Sequence, residues 1–172
     1  MTPNIPVILR LLSDAGVEFI VVGGVAGIAH GSSLTTLDMD VVYRRTPQNI
    51  RRFVQALQPH HPYLRGAPPN LPFLWEAETI ERGLNFTLAT DLGPLDLLGE
   101  ILGGGTYEDL YPASELSPVY GVTCRVLDLP TLIRAKRAAG RPKDFEAIAI
   151  LEALLEERRA GELDDRKDDS PS

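Results

Sequence analysis

Two carboxylates, Asp38 and Asp40, stand in the strand-like run Leu37-Asp38-Met39-Asp40-Val41-Val42, and this pairing constrains the fold more than any other feature of the chain. A short apolar run, Phe19-Ile20-Val21-Val22, precedes it and ends on a glycine pair, Gly23-Gly24. Alternate residues of a strand face the same way, so both carboxylates are expected on one face. Like charges held together on an apolar strand are costly unless something positive lies between them. The expected neutraliser is a divalent cation.

The rest of the sequence reads as a mixed core around this pair. Ile5, Ile8, Leu11, Leu12 and Ala15 recur at helical spacing after Pro3-Asn4, and Gly16 ends that helix. Val17 to Val22 reads as a buried strand, Gly24 to His30 as a short helix and Leu37 to Tyr43 as a second strand. Thr46-Pro47 opens a helix running to about Leu57. Five prolines between Gln58 and Pro72 predict a loop. Leu84 to Thr90 and Leu95 to Leu98 read as a hairpin, and Cys124 to Leu127 as the last strand. Asp128 caps a helix that Gly140 closes, and Pro142 starts another running to about Arg159. The order predicts an α/β (α+β) fold, with a mixed β-sheet core flanked by helices and a C-terminal helical pair. Residues 1–128 form the expected core, 129–160 a helical segment packed on it, and 161–172 a disordered acidic tail.

Composition narrows the classes further. A hydrophobic fraction of 44% in 172 residues is enough for one domain with a real core. The single cysteine, Cys124, rules out an internal disulfide and a cysteine-based zinc site. No apolar stretch is long enough to span a bilayer, and residues 1–16 read as an amphipathic helix rather than a signal peptide. The expected compartment is cytoplasmic. A net charge of −7 argues against a general nucleic-acid coat protein. The charge is uneven, however, because Arg134, Lys136, Arg137, Arg141 and Lys143 cluster with only Asp144 nearby.

Four features carry the candidate chemistry. A glycine turn whose N–H groups approach phosphate, beside carboxylates able to hold Mg²⁺, points to nucleotide chemistry. Asp96, in Pro94-Leu95-Asp96-Leu97-Leu98, is the candidate third carboxylate, with Asp91 and Glu100 as rivals nearer turns. The segment His30-Gly31-Ser32-Ser33-Leu34-Thr35-Thr36 offers hydroxyl and backbone donors to phosphate oxygens, with His30 read as a satisfied helix-end residue. Two of the three lysines, Lys136 and Lys143, lie in the basic cluster, which suits a phosphate or an RNA backbone.

Taken together, Gly23-Gly24, the spacer Val25 to Leu37, Asp38-Met39-Asp40 and the later Asp96 resemble the signature of the nucleotidyltransferase superfamily, the polymerase-beta-like fold. The His30-Gly31-Ser32 and Lys136 to Asp144 segments look like its AbiEii-type toxin and related bacterial branch. The resemblance implies transfer of a nucleoside monophosphate from an NTP to an acceptor hydroxyl, with Mg²⁺ or Mn²⁺ as cofactor. Asp38, Asp40 and Asp96 would be the catalytic, metal-binding residues. Gly23, Gly24, Ser32, Ser33, Lys136, Arg141 and Lys143 would bind the nucleotide. The implied acceptor is tRNA, another RNA or a protein, and a toxin would have a cognate antitoxin. Two other readings use the same fold: a non-catalytic nucleotide- or partner-binding module, and a small-molecule nucleotidyltransferase.

Overall fold

The computed structural model describes residues 2–169. Along the chain run α1 (Ile5–Asp14), β1 (Phe19–Val22), α2 (Gly23–Ala29), β2 (Met39–Tyr43), α3 (Pro47–Leu57), β3 (Tyr63–Leu64), α4 (Ala77–Arg82), β4 (Phe86–Thr90) and β5 (Gly93–Leu98). There follow β6 (Glu100–Ile101), β7 (Gly105–Thr106), α5 (Tyr107–Leu110), β8 (Ser114–Val119), β9 (Val122–Leu127), α6 (Leu129–Ala139) and α7 (Phe145–Asp168). Seven strands form one mixed sheet in the order β3-β4-β5-β2-β1-β9-β8, and β6 and β7 form a separate small ribbon. The fold is the mixed α/β arrangement expected of a nucleotidyltransferase core, with helices on the sheet and a long helix at the C-terminal end.

The sheet centre is where the hydrophobic sequence runs predict it. All four residues of β1 are buried, as are Met39, Val41, Val42 and Tyr43 of β2. Burial of such side chains contributes roughly 1.5–3 kcal/mol each relative to exposure, which ties β1 and β2 firmly to the core. β1 runs antiparallel to β2 and parallel to β9, while β2 runs parallel to β5. The end of β1 therefore lies beside the start of β2.

Local chemistry sets the helix ends. The Asn4 side chain accepts from Val7 N at the start of α1, and Gly16 follows that helix with φ +71°. Thr46 caps α3 through Asn49 N, and Asp128 caps α6 through Thr131 N at 2.9 Å. Gly140 ends α6 in the left-handed region.

The structure corrects four expectations. The proline-rich stretch is not wholly loop, because β3 lies inside it and pairs with β4 at the sheet edge. An unexpected strand, β8, forms a hairpin with β9 through Tyr120 and Gly121, both at positive φ. Its Pro118 is tolerated because β8 is an edge strand. Asp38 lies one residue before β2 rather than within it. Finally, α7 does not stop near Arg159 but continues to Asp168, so residues 161–168 are helical rather than disordered. Asp169 caps that helix, and the rest of the expected disordered tail, 170–172, lies outside the described residues.

Candidate active site

Parallel pairing of β2 with β5 puts Asp40 directly opposite Asp96. With Asp38 just upstream, one carboxylate oxygen from each of the three residues falls within 4.8 Å of the others. No other such group of three His, Cys, Asp or Glu residues occurs among the described residues. Of the rival ligands, Asp91 is engaged by His60 Nδ1 at 2.8 Å and His61 Nδ1 at 3.3 Å. Glu100 is exposed and stands beyond the end of β5.

The glycine pair makes room for these acids. Val22 is opposite Asp40 in the sheet, and the chain then turns at Gly23, φ +65°, into α2. A Cβ on Gly23 would lie 2.9 Å from Asp40 Cγ and closer still to one of its carboxylate oxygens. A Cβ on Gly24 would come within 2.7 Å of Thr36 Oγ1. That hydroxyl donates to Asp38 O at 2.7 Å and accepts from Asp38 N at 3.3 Å, fixing the backbone that carries Asp38. Gly23 thus admits one acid, and Gly24 admits the clamp on another.

The charges confirm that crowding is expensive. Burial, then Asp96, then Asp38 push the Asp40 carboxyl up to about 7, with Lys136 pulling the other way. A donor set of three carboxylates, with a glycine leaving space beside the most crowded one, fits Mg²⁺ or Mn²⁺, which prefer oxygen ligands.

The sequence reading missed the protein's own cation in this cluster. Arg65 donates from Nη2 to Asp96 Oδ1 at 2.7 Å, and its Nη1 lies 4.0 Å from Asp38 Oδ1. Its Nη1 also donates to Leu88 O at 3.1 Å. β3 delivers it: Arg65 N donates to Thr87 O, and Thr87 pairs with Asp96 across the sheet. Its only warning in the sequence was the surplus of negative charge. Arg65→Ala is expected to lower the melting temperature of metal-free protein at neutral pH and to tighten Mg²⁺ binding, read by isothermal titration. Unchanged Mg²⁺ affinity would show that the guanidinium does not compete for the carboxylates.

The basic segment is organised around a buried acid. Asp144 is only 5% exposed. It accepts from Arg141 Nε at 2.7 Å and lies 3.8 Å from Lys136 Nζ. An isolated buried carboxylate is costly, so Asp144 depends on these two cations and in turn holds them at the cleft. Lys143 is exposed and lines the same cleft.

Two lobes open on either side of Asp40. The polar lobe, about 280 Å³, is lined by Gly24, Ser32, Thr35, Thr36, all three acids, Lys136, Arg141 and Lys143. The apolar lobe, about 360 Å³, lies among Gly23, Leu98, Ile101, Leu132 and Ala135, and shares Asp40, Lys136 and Arg141 with the first. Ser32 is therefore brought to the acids, with its Oγ accepting from Leu34 N. Ser33 is exposed and lines neither lobe. His30 is buried against Leu127 O at 2.7 Å, and Cys124 is a buried thiol pushed up to about 11 by burial; neither lines a lobe.

The fold has counterparts among known structures. No protein-family model matches the chain, and no curated protein matches it in sequence. Among solved structures it is similar to the lincosamide antibiotic adenylyltransferase LnuA, determined with lincomycin bound. The TM-score is 0.59 at 13% identity, over 87% of this chain and 95% of that one. It is also similar to TM1012 of Thermotoga maritima, assigned to the nucleotidyltransferases, with a TM-score of 0.54 at 16% identity over 89% and 91% of the two chains. The fold is thus shared with nucleotidyltransferases. No described helix is long and apolar enough to cross a membrane.

Proposed function

We propose that the protein is a metal-dependent nucleotidyltransferase that moves a nucleoside monophosphate from an NTP to an acceptor hydroxyl. The observation that carries this reading is the meeting of Asp38, Asp40 and Asp96 in the polar lobe, rich in cations and hydroxyls, with Asp40 also reaching the second lobe. Mg²⁺ or Mn²⁺ held by the three acids would supply charge neutralisation for the triphosphate and the departing pyrophosphate. Lys136, Arg141 and Lys143 would bind phosphate oxygens, with Asp144 orienting the first two. Gly23, Gly24 and Ser32 would add backbone and hydroxyl donors, and Ser33 would join them only from outside the lobe. Asp96 would accept the proton that leaves the acceptor hydroxyl. Three converging carboxylates beside a cation-lined lobe support a metal–nucleotide site over a module that binds only a protein partner.

The AbiEii-type branch, a toxin role with a cognate antitoxin and an RNA or protein acceptor are readings of the sequence resemblance. The basic segment was their main support, and its Lys136 and Arg141 are tied to Asp144 inside the cleft rather than spread along a surface.

The raised Asp40 carboxyl gives a test with a defined sign. Folding lifts it from 3.8 to about 7, so the fold disfavours its charged form. Its contribution to stability in metal-free protein is full below the unfolded value and is lost as pH rises through about 7. A bound divalent cation reverses that preference. The rise in melting temperature on adding Mg²⁺ is therefore expected to be small at about pH 5 and large at about pH 8. A rise independent of pH would exclude Asp40 from the metal site.

A further inference from the structure

The two lobes have opposite chemistry, and the apolar one is unsuited to phosphate. Its walls include Leu98, Ile101, Leu102, Leu132, Ala135 and Ala139. Away from the junction its polar lining is Asn85 and Glu100. The Asn85 side-chain oxygen is taken by Gly99 N at 2.8 Å, which steadies the turn that carries Glu100. A polyanion here would exchange water for hydrocarbon and face a carboxylate. Lys136 and Arg141 border both lobes, but their anchor Asp144 lines only the polar one and draws them that way. The Gly103 turn of the β6–β7 ribbon closes the apolar wall, packed so tightly on α6 that a Cβ would meet Ala138 Cβ at 2.7 Å.

We propose that the apolar lobe binds the acceptor, and that the acceptor is a small, largely apolar molecule bearing a hydroxyl and an amine rather than a nucleic acid. This rests on the nucleotidyltransferase reading. Its volume, about 360 Å³, falls within the range of small-molecule sites. The amine faces Glu100 and the hydroxyl faces Asp40. The hydroxyl oxygen forms a bond to the α-phosphorus of the NTP in the polar lobe. The bond from that phosphorus to its bridging oxygen breaks, and pyrophosphate leaves with the electron pair. The hydroxyl proton passes by way of Asp40 to Asp96, its neighbour across the sheet, and on to water.

Ligand-observed NMR on the full chain with Mg²⁺ tests this, using para-(aminomethyl)benzyl alcohol, its neutral analogue para-methylbenzyl alcohol and the anionic para-(hydroxymethyl)benzoate. The amine and the neutral alcohol are expected to bind, and the benzoate to be rejected. Ala139→Trp should weaken the amine by about tenfold or more while Mg²⁺ with ATP still raises the melting temperature. Glu100→Gln should weaken only the amine, by about threefold. Equal binding to Ala139→Trp, competition of the probes by ATP, or preference for the benzoate would overturn the assignment. If Mg²⁺ with ATP stabilises the protein and no probe binds, the acceptor lobe is wrong and the nucleotidyltransferase reading stands. If Mg²⁺ with ATP gives the wild-type protein no stabilisation, the reading fails and the acceptor assignment falls with it.

Discussion

Asp40→Asn is expected to abolish the rise in melting temperature that Mg²⁺ and an NTP give the wild-type protein. Ligand at about a hundred times its dissociation constant stabilises a fold by about 2.7 kcal/mol. For a chain of this length that corresponds to a rise of roughly 5–10 °C. Asparagine keeps the shape of the side chain and removes the charge that burial and Asp96 oppose. The metal-free variant should therefore melt no lower than wild type at about pH 8, where Asp40 is ionised. Loss of the ligand response without loss of fold is the signature of a ligand residue. A response that survives in the variant would remove Asp40 from the site.

The second large effect is expected at Gly23. Gly23→Ala forces a Cβ into the space of the Asp40 carboxylate at a backbone φ of +65°, which side chains rarely adopt. The variant must either shift the turn into α2 or push Asp40 away from Asp38 and Asp96. Strain at such a position costs of order 1–3 kcal/mol, read as a lower urea midpoint. Mg²⁺ stabilisation should fall as well, because the three oxygens no longer converge. Gly121→Ala, in the β8–β9 turn at φ +79° with nothing within 4 Å, provides the comparison: strain without loss of the metal response. Equal Mg²⁺ responses in the two variants would show that Gly23 serves only the turn.

Much of this arrangement was legible because it is written in local rules. The alternation of Asp38-Met39-Asp40 and of Leu95-Asp96-Leu97 fixes which face each side chain takes, and parallel pairing of two buried strands brings the faces together. Capping by Asn4, Thr46 and Asp128 is equally local. What escaped depends on distant partners or on composition overridden by context. Arg65 follows a two-residue strand inside a proline-rich stretch, with no periodicity to mark it. β8 is a polar edge strand whose pairing with β9 is decided by the Tyr120-Gly121 turn. The acid-rich stretch after Gly161 looked too charged to order, yet it continues a helix already nucleated on the core. Leu151 and Leu154 of that helix pack near Gly27 and Gly31, and Arg158 donates to His30 O at 3.1 Å. Elongation from such an anchored helix avoids the nucleation cost that an isolated segment would meet. Asp144 was read as part of a cationic display, whereas it is the buried anion around which that display is built.

The most direct test of the central claim follows the phosphorus. Wild-type protein and Asp40→Asn are incubated with Mg²⁺, fractionated small-molecule, RNA and protein pools, and each NTP labelled at either the α- or the γ-phosphate. The account predicts that wild-type protein transfers α-label to an acceptor, leaves γ-label in pyrophosphate, and that Asp40→Asn transfers neither. Transfer of γ-label, or equal α-labelling by the variant, would contradict it.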